Sequence, residues 1–234
     1  MCIGAGCAFN TSESYWSILK QVNAKADDLE SAEAGCSDNG IGAALGKLRC
    51  TPGVQRLINL LRHPVFGPTV GAWLYGLSDK EMTYGPDAAL VQGLQTTTHI
   101  EETRSRVREY LRDGSFTAEG LDAYYDAGGF TLEDGSFNRK VVTDGLALSF
   151  PELASNRAAA TASLGSYHMQ VFASDINPTT RTATVAFVGW NEMTLGSAMA
   201  SAGGLREVAN QYAPASGPLS AVRMDFGWTE TIHY

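Results

Sequence analysis

Residues 221–234 read AVRMDFGWTETIHY, and their alternation decides the fold. Val222, Met224, Phe226, Trp228 and Ile232 fall on one face of an extended chain, while Arg223, Asp225, Thr229, Thr231 and His233 fall on the other. Glu230 is the one charged residue in the apolar row. An apolar strand face of this size needs a cover, so the stretch predicts a sheet packed on a second layer. Working outward, residues 166–173 alternate with the same period, and residues 182–190 carry Thr184, Val185, Phe187 and Val188, types suited to a pleated surface. Asp175, Asn177 and Pro178 supply turn chemistry between them, so the two segments read as a hairpin beside the closing strand.

The first half has a helical period instead. Thr11 and Ser12 cap a helix on which Trp16, Leu19, Val22, Ala26 and Leu29 recur, ending before Gly35. Val54, Leu57, Ile58 and Leu61 form a stripe that stops at His63-Pro64, and a short helix carries Val70, Trp73 and Leu74. After a connector over 78–86, Leu90, Val91 and Leu94 are helically spaced. Thr96, Thr97 and Thr98 then cap a longer helix from about His99 to Arg112, with Ile100, Val107, Tyr110 and Leu111 inward. Thr117 opens a short helix with Leu121, Tyr124 and Tyr125, between two Asp-Gly-Ser-Phe turns at Asp113 and Asp134. The segment from Val141 to Phe150 is ambiguous, Pro151 to Ala160 is helix or linker, and one helix lies around Gly204 to Tyr212. The fold class is therefore α+β: a helical N-terminal half packed on a C-terminal antiparallel β-sheet. The helix-rich region is 1–155 and the β-rich region 156–234, together one compact unit.

Charge excludes some functions. The 234 residues carry a net charge of −8, with 17 Lys and Arg against 25 Asp and Glu, so no surplus suits a phosphate backbone and no nucleic-acid partner is expected. The one basic cluster, Arg104, Arg106, Arg108 and Arg112, is interleaved with Glu101, Glu102 and Glu109 at the spacing of ion pairs on a solvated helix face. No apolar run reaches the roughly 18 residues needed to span a bilayer. The glycines from Gly40 to Gly46 fit neither the dinucleotide fingerprint nor the phosphate loop. All four cysteines, Cys2, Cys7, Cys36 and Cys50, lie in the first fifty residues without zinc or redox spacing, which leaves two local disulfides or free buried thiols, and the even, clustered count leans towards disulfides and an exported protein. Four histidines are too few to make a multi-histidine metal site the expectation, and the sequence leaves the identity of any metal or cofactor open.

Chemistry is sought in the β-rich half. His168 lies mid-strand beside Ser166 and Gln170, as a surface histidine or a general base. Asn191 and Glu192 end the second hairpin strand, where a rigid element delivers side chains to an open loop. Glu230 lies either in water at the sheet's end or beside Trp228, where desolvation would raise its pKa towards the general-acid range. The expected catalytic set is Glu230 with His168, Asn191 and Glu192 around a cleft at one end of the sheet.

The pieces Trp73-Leu74-Tyr75-Gly76, Tyr84-Gly85-Pro86, Leu164-Gly165-Ser166-Tyr167, Trp190-Asn191 and Trp228-Thr229-Glu230-Thr231-Ile232 resemble the C-terminal toxin domains of bacterial polymorphic, Rhs-type exported toxins. The resemblance covers about two-thirds of the chain. It implies an antibacterial domain secreted or delivered to the target cell envelope, in the periplasm or at the outer face, and neutralised by a cognate immunity protein. In outline the C-terminal half is also similar to colicin M-like domains, which implies hydrolysis of an envelope substrate such as a lipid-linked cell-wall precursor. The Asp-x-Tyr-Asp and His-Arg elements of that family are absent after Val188, and Asp122-Ala123-Tyr124-Tyr125-Asp126 echoes them only superficially, so its mechanism is not carried over. The alternatives are a pore-forming or membrane-perturbing toxin and a non-enzymatic binding module with a sheet face for recognition.

Overall fold

The computed structural model describes residues 10–34, 52–77, 81–117, 119–125, 155–194 and 213–234. In chain order the elements are α1 (Glu13–Ala34), α2 (Pro52–Arg62), a π-helical turn (Gly67–Gly71) continued by α3 (Ala72–Tyr75), β1 (Glu81–Tyr84), α4 (Ala89–Gln95), α5 (Thr98–Asp113), β2 (Leu121–Tyr125), α6 (Asn156–Leu164), β3 (Tyr167–Asn177), β4 (Thr182–Met193) and β5 (Val222–His233). The strands form one sheet in the order β1-β5-β4-β3-β2. Neighbours are antiparallel except β1, which runs parallel to β5 with Met82 opposite Met224 and Tyr84 opposite Phe226. The α+β class stands, but the sheet is mixed and takes both edge strands from before residue 155.

Register sorts the side chains into two faces. Met169 pairs with Gly189 and Gly189 with Phe226, and two positions along Val171 pairs with Phe187 and Phe187 with Trp228. This inner face, with Tyr167, Val185, Val222, Met224 and Ile232, is buried in one cluster with Val22, Ile58, Leu61, Leu90, Leu94, Ile100 and Val107 of the helices. Phe187 and Trp228 stack at 4.7 Å with planes 6° apart. Gly189 stands where the Phe226 ring lies, and a Cβ there would collide with the ring. Gly93 has the same role between helices, because a Cβ would strike the backbone of Asn156 at the start of α6.

The element ends have local causes. Ser12 accepts from the Tyr15 amide at 3.4 Å and starts α1, and its own amide donates to Thr83 O, which ties the helix entry to the edge strand β1. Ser155 accepts from the Ala158 amide and caps α6. In the β3–β4 turn, Asn177 Oδ1 accepts from the amides of Thr179 and Thr180, a side-chain turn that leaves Arg181 at positive φ. The π-helical turn closes with the Gly71 amide donating to Phe66 O. Here Gly67 and Gly71 let the backbone approach Leu61 and Val22, where a Cβ would not fit.

Several expectations are corrected. The connector over 78–86 contains strand β1, and the residues read as a helix after Thr117 form strand β2, because pairing Leu121 with Val171 overrides local helical spacing. On α1 Val22 and Ala26 are buried as expected, but in the first turns Tyr15 and Ile18 turn inward in place of Trp16 and Leu19, and Trp16 is 47% exposed. Tyr110 is 40% exposed rather than inward. The four cysteines, the 40–49 segment, the turn at Asp134, the stretch from Val141 to Phe150 and the helix around Gly204 to Tyr212 lie outside the described residues.

Gly189→Ala should lower stability by about 1–3 kcal/mol through overpacking against Phe226. In a Phe226→Ala background, itself costing about 3–5 kcal/mol, the same change should cost almost nothing. Urea unfolding of the four proteins in the cycle measures this, and additive losses would mean that Gly189 and Phe226 do not compete for one space.

Candidate functional site

The four expected site residues divide between the two faces and the two ends of the sheet. Asn191 pairs with Met224 and Glu230 with Val185, so both belong to the inner face. His168 pairs with Trp190 and Glu192 with Arg223, on the outer face. Glu230 and Asp225 are five positions apart on β5, and Trp190, the partner of His168, stands opposite Asp225. That separation is roughly 15 Å or more along a strand. Glu230 therefore does not share a cleft with His168, Asn191 or Glu192.

The two inner-face residues hold helices. Arg104 Nε donates to Glu230 Oε1 at 2.7 Å and Nη2 to Oε2 at 3.0 Å, a two-pronged pair joining α5 to β5, with side chains 16% and 24% exposed. Arg104 Nη1 also reaches Gln95 O at 2.9 Å and Glu101 at 3.2 Å, which locks the α4–α5 corner. In place of either expected setting, water at the sheet's end or an apolar pocket beside Trp228, Glu230 has a guanidinium on both oxygens. Asn191 Nδ2 donates to Leu164 O at 2.6 Å, satisfying a carbonyl at the end of α6 that has no partner inside the helix.

The outer face carries the open chemistry. The His168 and Trp190 rings stack at 5.3 Å with planes 9° apart. On the other side of Trp190 is Asp225, whose Oδ1 accepts from Arg223 Nε at 3.1 Å; Asp225 is 17% and Arg223 43% exposed. Glu192 stands opposite Arg223 and is exposed. An imidazole, an indole, a guanidinium and two carboxylates thus occupy neighbouring positions on three rigid strands. Sequence reasoning marked His168 and Glu192 but passed over Trp190, Asp225 and Arg223. The alternation placed Arg223 and Asp225 on the polar face, and only the β4–β5 register brings Trp190 between Asp225 and His168.

A second cluster is buried. His99, 3% exposed in the first turn of α5, meets the Tyr167 hydroxyl of β3 through Nε2, and Thr97 Oγ1 lies 3.2 Å from the same nitrogen while donating to Leu94 O. The Nδ1–H tautomer lets Tyr167 donate to Nε2. Burial, and secondarily the positive charge of Arg157, lowers the imidazole pKa to about 4. The neutral ring thus joins α5 to β3. Among the described residues no group of His, Cys, Asp or Glu is arranged to hold a metal ion.

Two predictions follow from these polar joints. Arg104→Ala and Glu230→Ala should each cost about 2 kcal/mol, with the double variant losing clearly less than the sum, since removing one partner leaves the other part-buried and uncompensated. A Glu230→Gln protein that melts like the parent but loses activity would instead restore Glu230 as a catalytic group. For His99 the folded pKa lies below the unfolded value near 6.5, so its stabilising contribution is complete above that pH and is lost as pH falls towards 4. The loss should approach about 3 kcal/mol, at up to about 1.4 kcal/mol per pH unit. Unfolding free energies between pH 7 and 4.5 test it, and His99→Gln should flatten the slope. Comparisons of the chain with family models, with curated proteins and with solved structures gave no match.

Proposed function

We propose that the chain is an antibacterial toxin domain of the exported polymorphic kind, acting on a cell-envelope target with the outer face of the sheet as its working surface. The observation that carries this reading is what becomes of the arginines on α5. Arg104 is taken up by Glu230 and Glu101, and Arg108 by Glu101 at 2.9 Å. Arg106 and Arg112 remain exposed on a helix that also exposes Glu102 and Glu109. A phosphate track needs a run of available cations, and the basic cluster does not provide one. The net charge of −8 supports the same exclusion.

With nucleic acid set aside, the polar and aromatic groups of the outer face are the best-equipped surface for an envelope component. His168, Glu192 and Asp225 supply an imidazole and two carboxylates there, and strands β3, β4 and β5 hold them rigidly. Hydrolysis of a lipid-linked precursor is the reaction this reading favours, and the partner it implies is a cognate immunity protein that covers the surface. No described helix is long and apolar enough to cross a membrane.

Inducible expression in a susceptible bacterium, with and without an export signal, tests the proposal. Growth should stop only when the protein reaches the periplasm, with dye release from liposomes at background. His168→Ala should relieve the arrest by at least about a hundredfold in viable count, the lower end for losing general acid–base chemistry. Arrest by the unexported protein would end the envelope reading, and dye release would replace it with membrane perturbation.

A further inference from the structure

We propose that α5 is an acid-sensitive clamp, docked on the sheet through a neutral imidazole and released, with the sheet still formed, when that imidazole takes a proton. Its apolar attachment is thin. Of its sixteen residues only Ile100, Val107 and Leu111 bury apolar side chains. The remaining joints to the sheet are polar: His99 meets the Tyr167 hydroxyl of β3, and Arg104 holds Glu230 of β5 with two hydrogen bonds. A helix of this length is marginal in water once its packing is lost, so release would also unravel it.

The surroundings of His99 favour the uncharged ring. Tyr167 donates to Nε2, and a proton on that nitrogen would displace the hydroxyl hydrogen from its acceptor. His99 also stands in the first turn of α5, at the positive end of the helix dipole, and the Arg157 guanidinium of α6 reaches the same turn, donating to Thr98 Oγ1 at 2.6 Å. Among the described residues the other elements offer no counter-charge. Helix α4 has no titratable side chain, and Glu230 of β5 is held by Arg104. On α5 itself Glu101 is held by Arg104 and Arg108, and Glu102 is exposed. The lowered pKa of the ring, about 4, agrees with this geometry. In the released helix the ring regains its ordinary value near 6.5, so docking is strongest above that pH and weakens as pH falls towards 4. Beyond the loss of overall stability in acid, the clamp requires that α5 open before the sheet does.

Hydrogen exchange of the full chain tests this, read on peptides from α5 and from β4 and β5 at pH 7 and pH 4.5 and corrected for the intrinsic rate at each pH. Protection of α5 should fall at least about tenfold, within the roughly fiftyfold that a ring pKa of about 4 against 6.5 permits at pH 4.5. At pH 4.5 the α5 amides should exchange at least about tenfold faster than those of β4 and β5. His99→Gln, which keeps an acceptor for Tyr167 without a titrating proton, should remove most of the fall. Equal protection of α5 and the strands at pH 4.5 would mean a single cooperative unit and overturn the clamp, as would α5 protection that does not change with pH. A fall as large in His99→Gln as in the parent would overturn the assignment to His99. Should that variant not fold, the His99 Cε1 proton resonance of the parent decides the same point. It should titrate over the pH range in which α5 loses protection, and titration elsewhere overturns the assignment.

Discussion

Strand β5 imposes one requirement on the rest of the molecule: the row Val222, Met224, Phe226, Trp228 and Ile232 must leave water. Each side chain is at most 5% exposed, with Trp228 wholly buried. Burying a side chain of this kind stabilises by roughly 1.5–3 kcal/mol, so the row alone accounts for a large share of the drive to cover the sheet. Strand β4 pairs along the whole of β5 and β1 along Arg223 to Phe226, and the helices cover its inner face. The row has one flaw, the carboxylate of Glu230, and Arg104 answers it from the helix laid across that end. Gly189 is the complementary adjustment in β4, removing a side chain where Phe226 already fills the space.

How much of this the sequence discloses depends on the range of the interaction. Strands β3, β4 and β5 are legible because alternation is local, and α2, α4 and α5 because their stripes are. The two edge strands are not. Residues 81–84 and 121–125 are short, and they become strands by pairing with residues about fifty to over a hundred positions away, which no local pattern records. Only the start of the α1 stripe is displaced, because Tyr15 and Trp16 are both aromatic neighbours and the contact of Tyr15 with Tyr84 of β1, at 5.5 Å between rings, decides which turns inward. The site was legible to the same degree. Glu230 stood out as an anomaly in an apolar row, but an anomaly has two explanations, and its partner Arg104 lies in another element. Asp225 and Arg223 looked ordinary for a polar face until the register set them beside Trp190.

The sheet thus divides its polar residues by duty. Those on the inner face, Glu230, Asn191 and the hydroxyl of Tyr167, each satisfy a group on a helix, and their geometry is fixed by burial. Those on the outer face are held by one another, through ring stacking and a short guanidinium contact, and keep part of their surface in water. Groups of the first kind specify how the layers meet, since a misplaced helix would strand a charge or a carbonyl. Groups of the second kind can meet a ligand without disturbing that junction. Substitutions on the outer face should for this reason be separable from the packing that maintains the fold.

The parallel pairing of β1 with β5 sets the timetable on which the chain completes itself. β1 is flanked in sequence by helices, yet its ladder partner is the last of the described elements, with Glu81 opposite Arg223. Strand β1 must wait for a partner made much further along the chain, and closing so large a loop is the slow kind of folding event. Until then the helices lack the surface that orders them, and the incomplete chain keeps an open edge and exposed apolar side chains of the sort that chaperones hold.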